Sequence, residues 1–236
     1  MNKEENTNKK EHVNESKKED RKENGTKGKE EKEEKLCRKE YSVLQDFKYS
    51  LLQPISSILG LVVAILVLFL FPFQGVSTLM HQVLHFPGPG AGIAFPIGMV
   101  LIAFMLASYA LTRYETAPFW TALVFGIVYN LLAPYAGGIP FAPIINRLSA
   151  AILFGLGVSF ILILLKDKKL EVKYFLTGAL GDLLYLVLFW ILVFPFSPKG
   201  WVKPGAVPIL AILAICAGLA GALFPYLYAR SKKKVI

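Results

Sequence analysis

Acidic residues are scarce in residues 41–236, which contain only five of the 17 Asp and Glu residues of this chain. Cysteine is scarcer still, and the two copies, Cys37 and Cys216, predict neither a disulfide framework nor a metal cluster. A Gly-rich phosphate-binding loop, a dinucleotide fingerprint and a nucleophile elbow are all missing from the sequence. These absences argue against ATP hydrolysis by this chain, and we predict no catalytic residue, no cofactor and no bound metal.

Charge is concentrated in the N-terminal segment. Residues 1–40 contain 13 Lys and Arg and 12 Asp and Glu but almost no large apolar side chains. Such a segment buries too little apolar surface to offset the entropy of ordering it, so we predict a disordered, nearly neutral tail. We interpret it as a solvated extension rather than a partner-binding arm, and its first apolar run begins too late for a secretory signal peptide. With the juxtamembrane residues it forms a first region, 1–50.

The second region, residues 51–236, contains closely spaced apolar segments with almost no charge. Most segments reach about 18 residues, the length that a helix needs to cross the roughly 30 Å hydrocarbon core at about 1.5 Å per residue. We therefore predict an all-α, polytopic membrane domain with six transmembrane helices, at residues 51–71, 92–111, 117–134, 148–165, 174–194 and 207–228. An alternative arrangement has five spans, with the second segment and its preceding loop forming a re-entrant hairpin.

The distribution of basic residues predicts the orientation of these spans. With both termini cytoplasmic, the inner segments carry Lys48, Arg113, Lys166, Lys168, Lys169, Lys173, Arg230 and Lys232–Lys234. The outer loops then carry only Arg147, Lys199 and Lys203, which satisfies the positive-inside rule. The positive charge of the chain therefore marks its topology in a lipid bilayer, and we expect a multi-pass protein of the plasma membrane that does not bind nucleic acid.

Asp182 is the only acidic residue within a predicted span. A charged side chain deep in a bilayer costs a few kcal/mol, so it is expected to face the bundle interior with a partner or a water-filled cavity. Helical spacing places Gly178, Asp182, Tyr185 and Phe189 on one face. We favour a ligand or cation site on this face over a purely structural, hydrogen-bonded acid.

Other polar residues lie toward the predicted outer side. Tyr129 and Asn130 are near the end of span three, where an asparagine more often hydrogen-bonds between helices than binds a ligand. His81 and His85 are four residues apart, which suits one helical face, but a third metal ligand is missing nearby. Together with Gln82, the two histidines are better candidates for hydrogen-bonding a polar ligand.

The predicted outer loops, at residues 73–91, 135–147 and 195–206, are long and contain several Pro and Gly. Long loops of this kind are typical of functional lids, so a ligand is expected to enter from the outer side. Asn146 and Arg147, at the mouth of span four, can either anchor the helix at the membrane interface or contact an anionic ligand. We favour the anchor.

Small residues recur in span one. Ser56, Gly60 and Ala64 are spaced four apart, which gives the helix a flat face that allows close approach of another helix. That face can pack within the protein's own bundle or receive a helix of a partner protein, and the spacing alone is compatible with both.

Taken together, these features resemble the substrate-binding S component of energy-coupling factor (ECF) vitamin transporters. The stretch Pro87–Ile93, leading through Pro96 to Gly126–Asn130, is similar to that family's pattern from the first loop to the third span. The segment Ala217–Gly221, before a basic tail, is similar to its last span. In architecture, the resemblance covers residues 51–234.

The resemblance implies a subunit that captures a vitamin or related small molecule from outside, with the first loop as a lid. A separate transmembrane coupling subunit and two ATPase subunits would supply the energy for release inside. The residues implied to contact the coupling subunit are Ser56, Gly60 and Ala64. The aromatic residues expected to stack on a substrate ring are Tyr185, Phe189, Trp190 and Trp201. Asp182 would then bind a cationic or hydrogen-bond-donating group of the substrate.

Two other classes stay open. An intramembrane enzyme would need a catalytic constellation, such as His81, His85 and Asp182 converging on one metal. A structural or assembly membrane protein would instead have a packed Asp182 and no outward pocket.

Overall fold

The computed structural model of the protein describes residues 54–70, 91, 93–135, 142–196 and 204–233. All regular secondary structure in these ranges is helical, which confirms the all-α class. The principal helices are α1 (Pro54–Leu70), α2 (Met99–Thr112), α3 (Ala117–Leu132), α4 (Ile144–Leu164), α5 (Leu170–Leu192) and α6 (Val207–Lys233). Short turns of 3₁₀ helix lie at Phe194–Phe196 and Pro204–Ala206.

The helices are apolar in the way that a membrane environment requires. Within the described ranges, the segments long and apolar enough to cross a bilayer are Phe95–Thr112, Ile144–Leu164, Leu170–Leu192 and Val207–Lys232. Helices α1 and α3 are also apolar but shorter, with 17 and 16 residues. Large apolar side chains are exposed on the bundle surface, among them Phe69, Leu131, Phe160 and Phe224. Exposed apolar surface on this scale is consistent with a membrane protein.

Helix α2 is preceded by a kinked segment, Ile93–Gly98, with wide π-helical turns. Phe95 in this segment has extended backbone angles, with φ −144° and ψ 122°. Pro96 explains the break, because proline lacks an N–H and its ring pushes the preceding residue out of the helical region. The sequence predicted one continuous span from residue 92, whereas regular α-helix begins only at Met99.

Helices α1, α3 and α4 form a first group through close contacts at small residues. A Cβ atom placed on Gly60 would lie 2.6 Å from the carbonyl oxygen of Thr121, and one on Gly155 would lie 3.0 Å from the Cα of Phe119. The hydroxyl of Thr121 also donates a hydrogen bond to the carbonyl oxygen of Ser56, at 3.2 Å. Backbones at these crossings approach so closely that only small residues fit.

These contacts bear on the small-residue face of α1. Ser56 and Ala64 are fully buried, and Gly60 is buried between them. The face packs against α3 of the same chain. Of the two arrangements that the sequence allows, this is packing within the protein's own bundle. Ser56, Gly60 and Ala64 therefore have no exposed surface through which to contact a coupling subunit in this structure.

Helices α2, α5 and α6 form a second group. A Cβ atom placed on Gly178 in α5 would overlap the carbonyl oxygen of Gly218 in α6, and the reverse overlap occurs at Gly218. A Cβ atom on Gly221 in α6 would overlap the carbonyl oxygen of Met99 in α2. The three helices thus meet through backbone atoms, while α4 and α5 pack against each other and join the two groups.

One end of the bundle carries a network of charged and phenolic side chains. Lys173 Nζ lies 3.4 Å from Glu115 Oε1 and 4.6 Å from the centre of the Tyr109 ring. The hydroxyl of Tyr226 donates a hydrogen bond of 2.9 Å to Glu171. These contacts bring the α2–α3 connection, the start of α5 and the end of α6 together. We call this the basic end, after the lysines of the α4–α5 connection and of α6, and the opposite end the pocket end.

Candidate functional site

A pocket lies between the two helix groups at the pocket end of the bundle. The pocket is open at its mouth, and its interior has a volume of about 40 Å³. The lining residues come from the pocket-end halves of α1, α3, α4 and α5 and from the kinked segment before α2. They are Val67, Ile97, Phe125, Gly126, Tyr129, Asn130, Arg147, Ala150, Ala151, Tyr185, Phe189 and Val193.

Four residues that the sequence singled out meet in this pocket: Tyr129, Asn130, Tyr185 and Phe189. They come from two different helices, since Tyr129 and Asn130 lie on α3 and the other two on α5. Helical spacing on α5 predicted a shared face for Gly178, Asp182, Tyr185 and Phe189, and all four are buried. Their role in binding a ligand stays a prediction.

The aromatic side chains of the pocket are held by other rings. The Tyr129 ring lies 5.5 Å from the Phe125 ring, and the Tyr185 ring lies 4.8 Å from the ring of Phe154. The Phe189 ring lies 6.3 Å from that of Phe194. The aromatic part of the pocket wall is thus made of rings that pack against other rings. Flat ring faces of this kind suit stacking against a planar ligand.

Asn130 lines the pocket, and its amide is bonded to its own helix. Its Nδ2 donates a hydrogen bond of 2.7 Å to the carbonyl oxygen of Gly126. This bond sets the orientation of the amide, because a flipped side chain would bring two oxygens together. The Oδ1 atom is buried and has no hydrogen-bond partner among the described residues. A buried acceptor of this kind is costly unless a donor reaches it.

Arg147 is a pocket residue that the sequence interpretation had assigned to the membrane interface. Helix α4 starts at Ile144, directly after Pro143, so Arg147 lies in its first turn and lines the pocket. Its side chain is half-buried, and its Nε atom is fully buried. The signal available in the sequence was Pro143, since proline is favoured at helix starts and marks α4 as beginning before Leu148.

Asp182 lies beneath the pocket rather than in its wall. Its side chain is fully buried, and neither carboxylate oxygen has a hydrogen-bond partner within the described ranges. The carboxylate is so close to Gly98 that a Cβ atom on that glycine would overlap it. Two residues next to this contact line the pocket. They are Ile97, which precedes Gly98, and Tyr185, which lies one helical turn after Asp182.

The remaining predicted site residues, His81, Gln82, His85 and Trp201, lie outside the described residues. In the part of the chain that the structure does describe, there is no group of three or more His, Cys, Asp or Glu side chains arranged to hold a metal ion. Comparisons with protein-family models, curated protein sequences and solved structures give no match to this chain. The site is therefore interpreted from its own chemistry.

Proposed function

We propose that this chain is the substrate-capture subunit of a membrane importer for a vitamin or related small molecule, similar to the S component of ECF transporters. The observation that supports the proposal is the pocket, where Tyr129, Asn130, Tyr185 and Phe189 come together at one end of an apolar helical bundle. Aromatic walls combined with a few polar groups are typical of sites for small organic ligands.

In this proposal, a transmembrane coupling subunit and ATPase subunits on other chains drive release of the ligand. The sequence supports this division, because it lacks a phosphate-binding loop of its own. Since Ser56, Gly60 and Ala64 are buried, the coupling subunit would contact an exposed apolar surface, such as the one that includes Ile58 and Phe69 on α1. Copurification of ATPase subunits with the full chain from native membranes is expected, and purification of the chain alone would contradict this part of the proposal.

Ligand capture is tested by screening vitamins for thermal stabilisation of the full-length protein in detergent. For a ligand found this way, Tyr129→Ala should weaken binding about fivefold, because a stacking contact is worth about 1 kcal/mol. Tyr135→Ala is the matched control, since Tyr135 lies just beyond α3 and is 88 % exposed. If no vitamin stabilises the protein, or if the two variants bind equally, the capture function is contradicted and a structural or assembly role is favoured.

We further propose that all six helices span the plasma membrane, with both termini cytoplasmic and the pocket facing outward. The positive-inside rule supports this orientation, because the basic end then lies in the cytoplasm. Single cysteines at Tyr135 and Asp167, in a background without Cys37 and Cys216, test it with an impermeant thiol reagent on intact cells. Labelling at 135 and protection at 167 are expected, and the reverse pattern would overturn the orientation.

A further inference from the structure

The basic end carries exposed positive charge that the bundle itself does not neutralise. Lys166, Lys168 and Lys169 lie in the connection between α4 and α5, and Arg230 and Lys232 lie in the last two turns of α6. All five side chains are exposed. We call these five residues the basic patch, and none of them forms an ion pair with a described residue.

Contacts between α5 and α6 bring the two parts of the basic patch together. The hydroxyl of Tyr226, one turn before Arg230, donates a hydrogen bond to Glu171, which is two residues after Lys169. The rings of Phe175 and Tyr226 lie 5.1 Å apart. Arg230 is held at the same place, since its Nη1 donates a hydrogen bond of 3.3 Å to the Tyr226 hydroxyl. The lysines and the end of α6 therefore belong to one surface.

The acidic residues of this end do not balance the basic patch. Lys173 and Glu115 are buried and form an ion pair with each other, so neither adds a free charge to the surface. The exposed acids beside the patch are Asp167, which lies among the lysines, and Glu171, which accepts the hydrogen bond from Tyr226. The surface is thus positively charged, and the charge complementary to it is negative.

The depth of the basic patch indicates which kind of anion can reach it. Helix α6 has 27 residues, which gives about 40 Å at about 1.5 Å per residue, whereas the hydrocarbon core measures roughly 30 Å. Its charged last turns are the part that must leave the core, so Arg230 and Lys232 lie at the level of the lipid headgroups. Lys232 Nζ is 5.0 Å from the centre of the Tyr228 ring, and aromatic residues are typical of this layer.

We infer that the basic patch binds the headgroups of anionic phospholipids. Lysine and arginine form charge-assisted hydrogen bonds with phosphate oxygens, and clusters of them beside a membrane attract anionic lipids. The inference is independent of the pocket and of the proposed capture function. It requires only that the helical bundle lies in a bilayer.

Native mass spectrometry of the full chain in a neutral detergent tests the inference. Phosphatidylglycerol and phosphatidylcholine with identical acyl chains are titrated separately, and the lipid that stays bound to the protein is counted. We expect phosphatidylglycerol to bind about tenfold to a hundredfold more tightly, because each nearby Lys or Arg attracts an anionic lipid. The preference should weaken as salt is added, because exposed charges are screened.

A triple variant locates the binding. Lys166→Gln, Lys168→Gln and Lys169→Gln together remove three exposed charges, and Arg230 is kept because it contacts Tyr226. This variant should lose most of the preference for phosphatidylglycerol, and Lys168→Gln alone should weaken the binding of that lipid about fivefold. Circular dichroism checks that the helical content is unchanged. The matched control removes the same charge from the N-terminal segment, as Lys3→Gln, Lys9→Gln and Lys10→Gln, and should retain the preference.

Three results would overturn the inference. The first is equal binding of the two lipids by the unmodified protein. The second is an equal loss of preference in the triple variant and in its control, or no loss in either, because the net charge of the chain or another surface would then be responsible. The third is displacement of phosphatidylglycerol by inorganic phosphate at the same concentration, because the patch would then bind free phosphate rather than lipid.

Discussion

Glu115 and Asp182 are the buried acidic side chains in the part of the chain that the structure describes, and they lie in opposite surroundings. Glu115, at the basic end, is 8 % exposed and forms an ion pair with Lys173, which also lies over the Tyr109 ring. Asp182, in the middle of α5, is fully buried against Gly98 and has no hydrogen-bond partner within the described ranges.

The difference separates structural chemistry from candidate functional chemistry. A paired acid near the end of a bundle has a counter-charge for its burial and joins the α2–α3 connection to the start of α5, so its presence needs no ligand. An acid in the centre of a span costs a few kcal/mol and is usually retained for a site or a pathway. Both acids are buried, so burial does not distinguish them. They differ in that Glu115 has a basic partner and Asp182 has no hydrogen-bond partner among the described residues.

The largest expected effect comes from removing the partner of the paired acid. Lys173→Met leaves the Glu115 carboxylate buried without a counter-charge, which should lower the free energy of unfolding by about 3–5 kcal/mol. Lys168→Met, at an exposed position of the same end, should change it little. Denaturant unfolding in detergent micelles, followed by circular dichroism, measures both variants.

A double variant tests whether the effect belongs to the pair. Lys173→Met combined with Glu115→Gln should recover part of the stability lost in the single variant, because no buried charge is then left unpaired. If the stability losses of the two single variants simply add in the double variant, Lys173 and Glu115 are not coupled. Glu115 is then not a paired acid in the sense used in the comparison with Asp182.

A smaller effect is expected where Asp182 meets the kinked segment. Gly98→Ala adds a methyl group in a place that the carboxylate already occupies, so stability should fall by about 1–3 kcal/mol. Gly205→Ala is the matched control, since a Cβ atom there has open space within 4 Å. Adding Asp182→Ala to Gly98→Ala should remove most of the loss, and a full loss in this double variant would contradict the contact.

The smallest change in stability is expected for the unpaired acid itself. Asp182→Asn keeps the shape and removes only the charge, so the free energy of unfolding should change by less than about 1 kcal/mol or rise. Glu115→Gln, measured beside it, should be clearly destabilising because Lys173 loses its partner. A large loss in Asp182→Asn would make Asp182 a structural acid after all, whereas a tenfold loss of ligand affinity would assign it to the site.

The sequence predicted the positions of the helices well and their contacts less well. Hydropathy located the apolar helices of the described ranges, four long enough to cross a bilayer and two shorter, because apolar composition can be recognised in each segment separately. The direction in which one side of a helix points depends on the neighbouring helices. Hydropathy of a single segment therefore could not predict that the small residues of α1 pack inside the bundle or that Arg147 lines the pocket. An asparagine within a span favoured a hydrogen bond between helices, whereas the amide of Asn130 bonds to Gly126 of its own helix and the residue lines the pocket.

The glycine contacts described above also have a mechanical consequence. Within each helix group, glycines such as Gly155 and Gly178 meet the backbone of a neighbouring helix, whereas between α4 and α5 they meet side chains, as Gly157 meets Leu184. Side-chain ends rearrange more easily than a backbone, so we expect the plane between the two groups to yield to sliding at the α4–α5 contact before the backbone contacts of Gly60 and Gly178 do. The pocket crosses this plane, with Tyr129 on one side and Tyr185 on the other. We therefore expect a ligand that contacts both walls to hold the two groups together, and a sliding motion of the groups to separate Tyr129 and Tyr185 from that ligand.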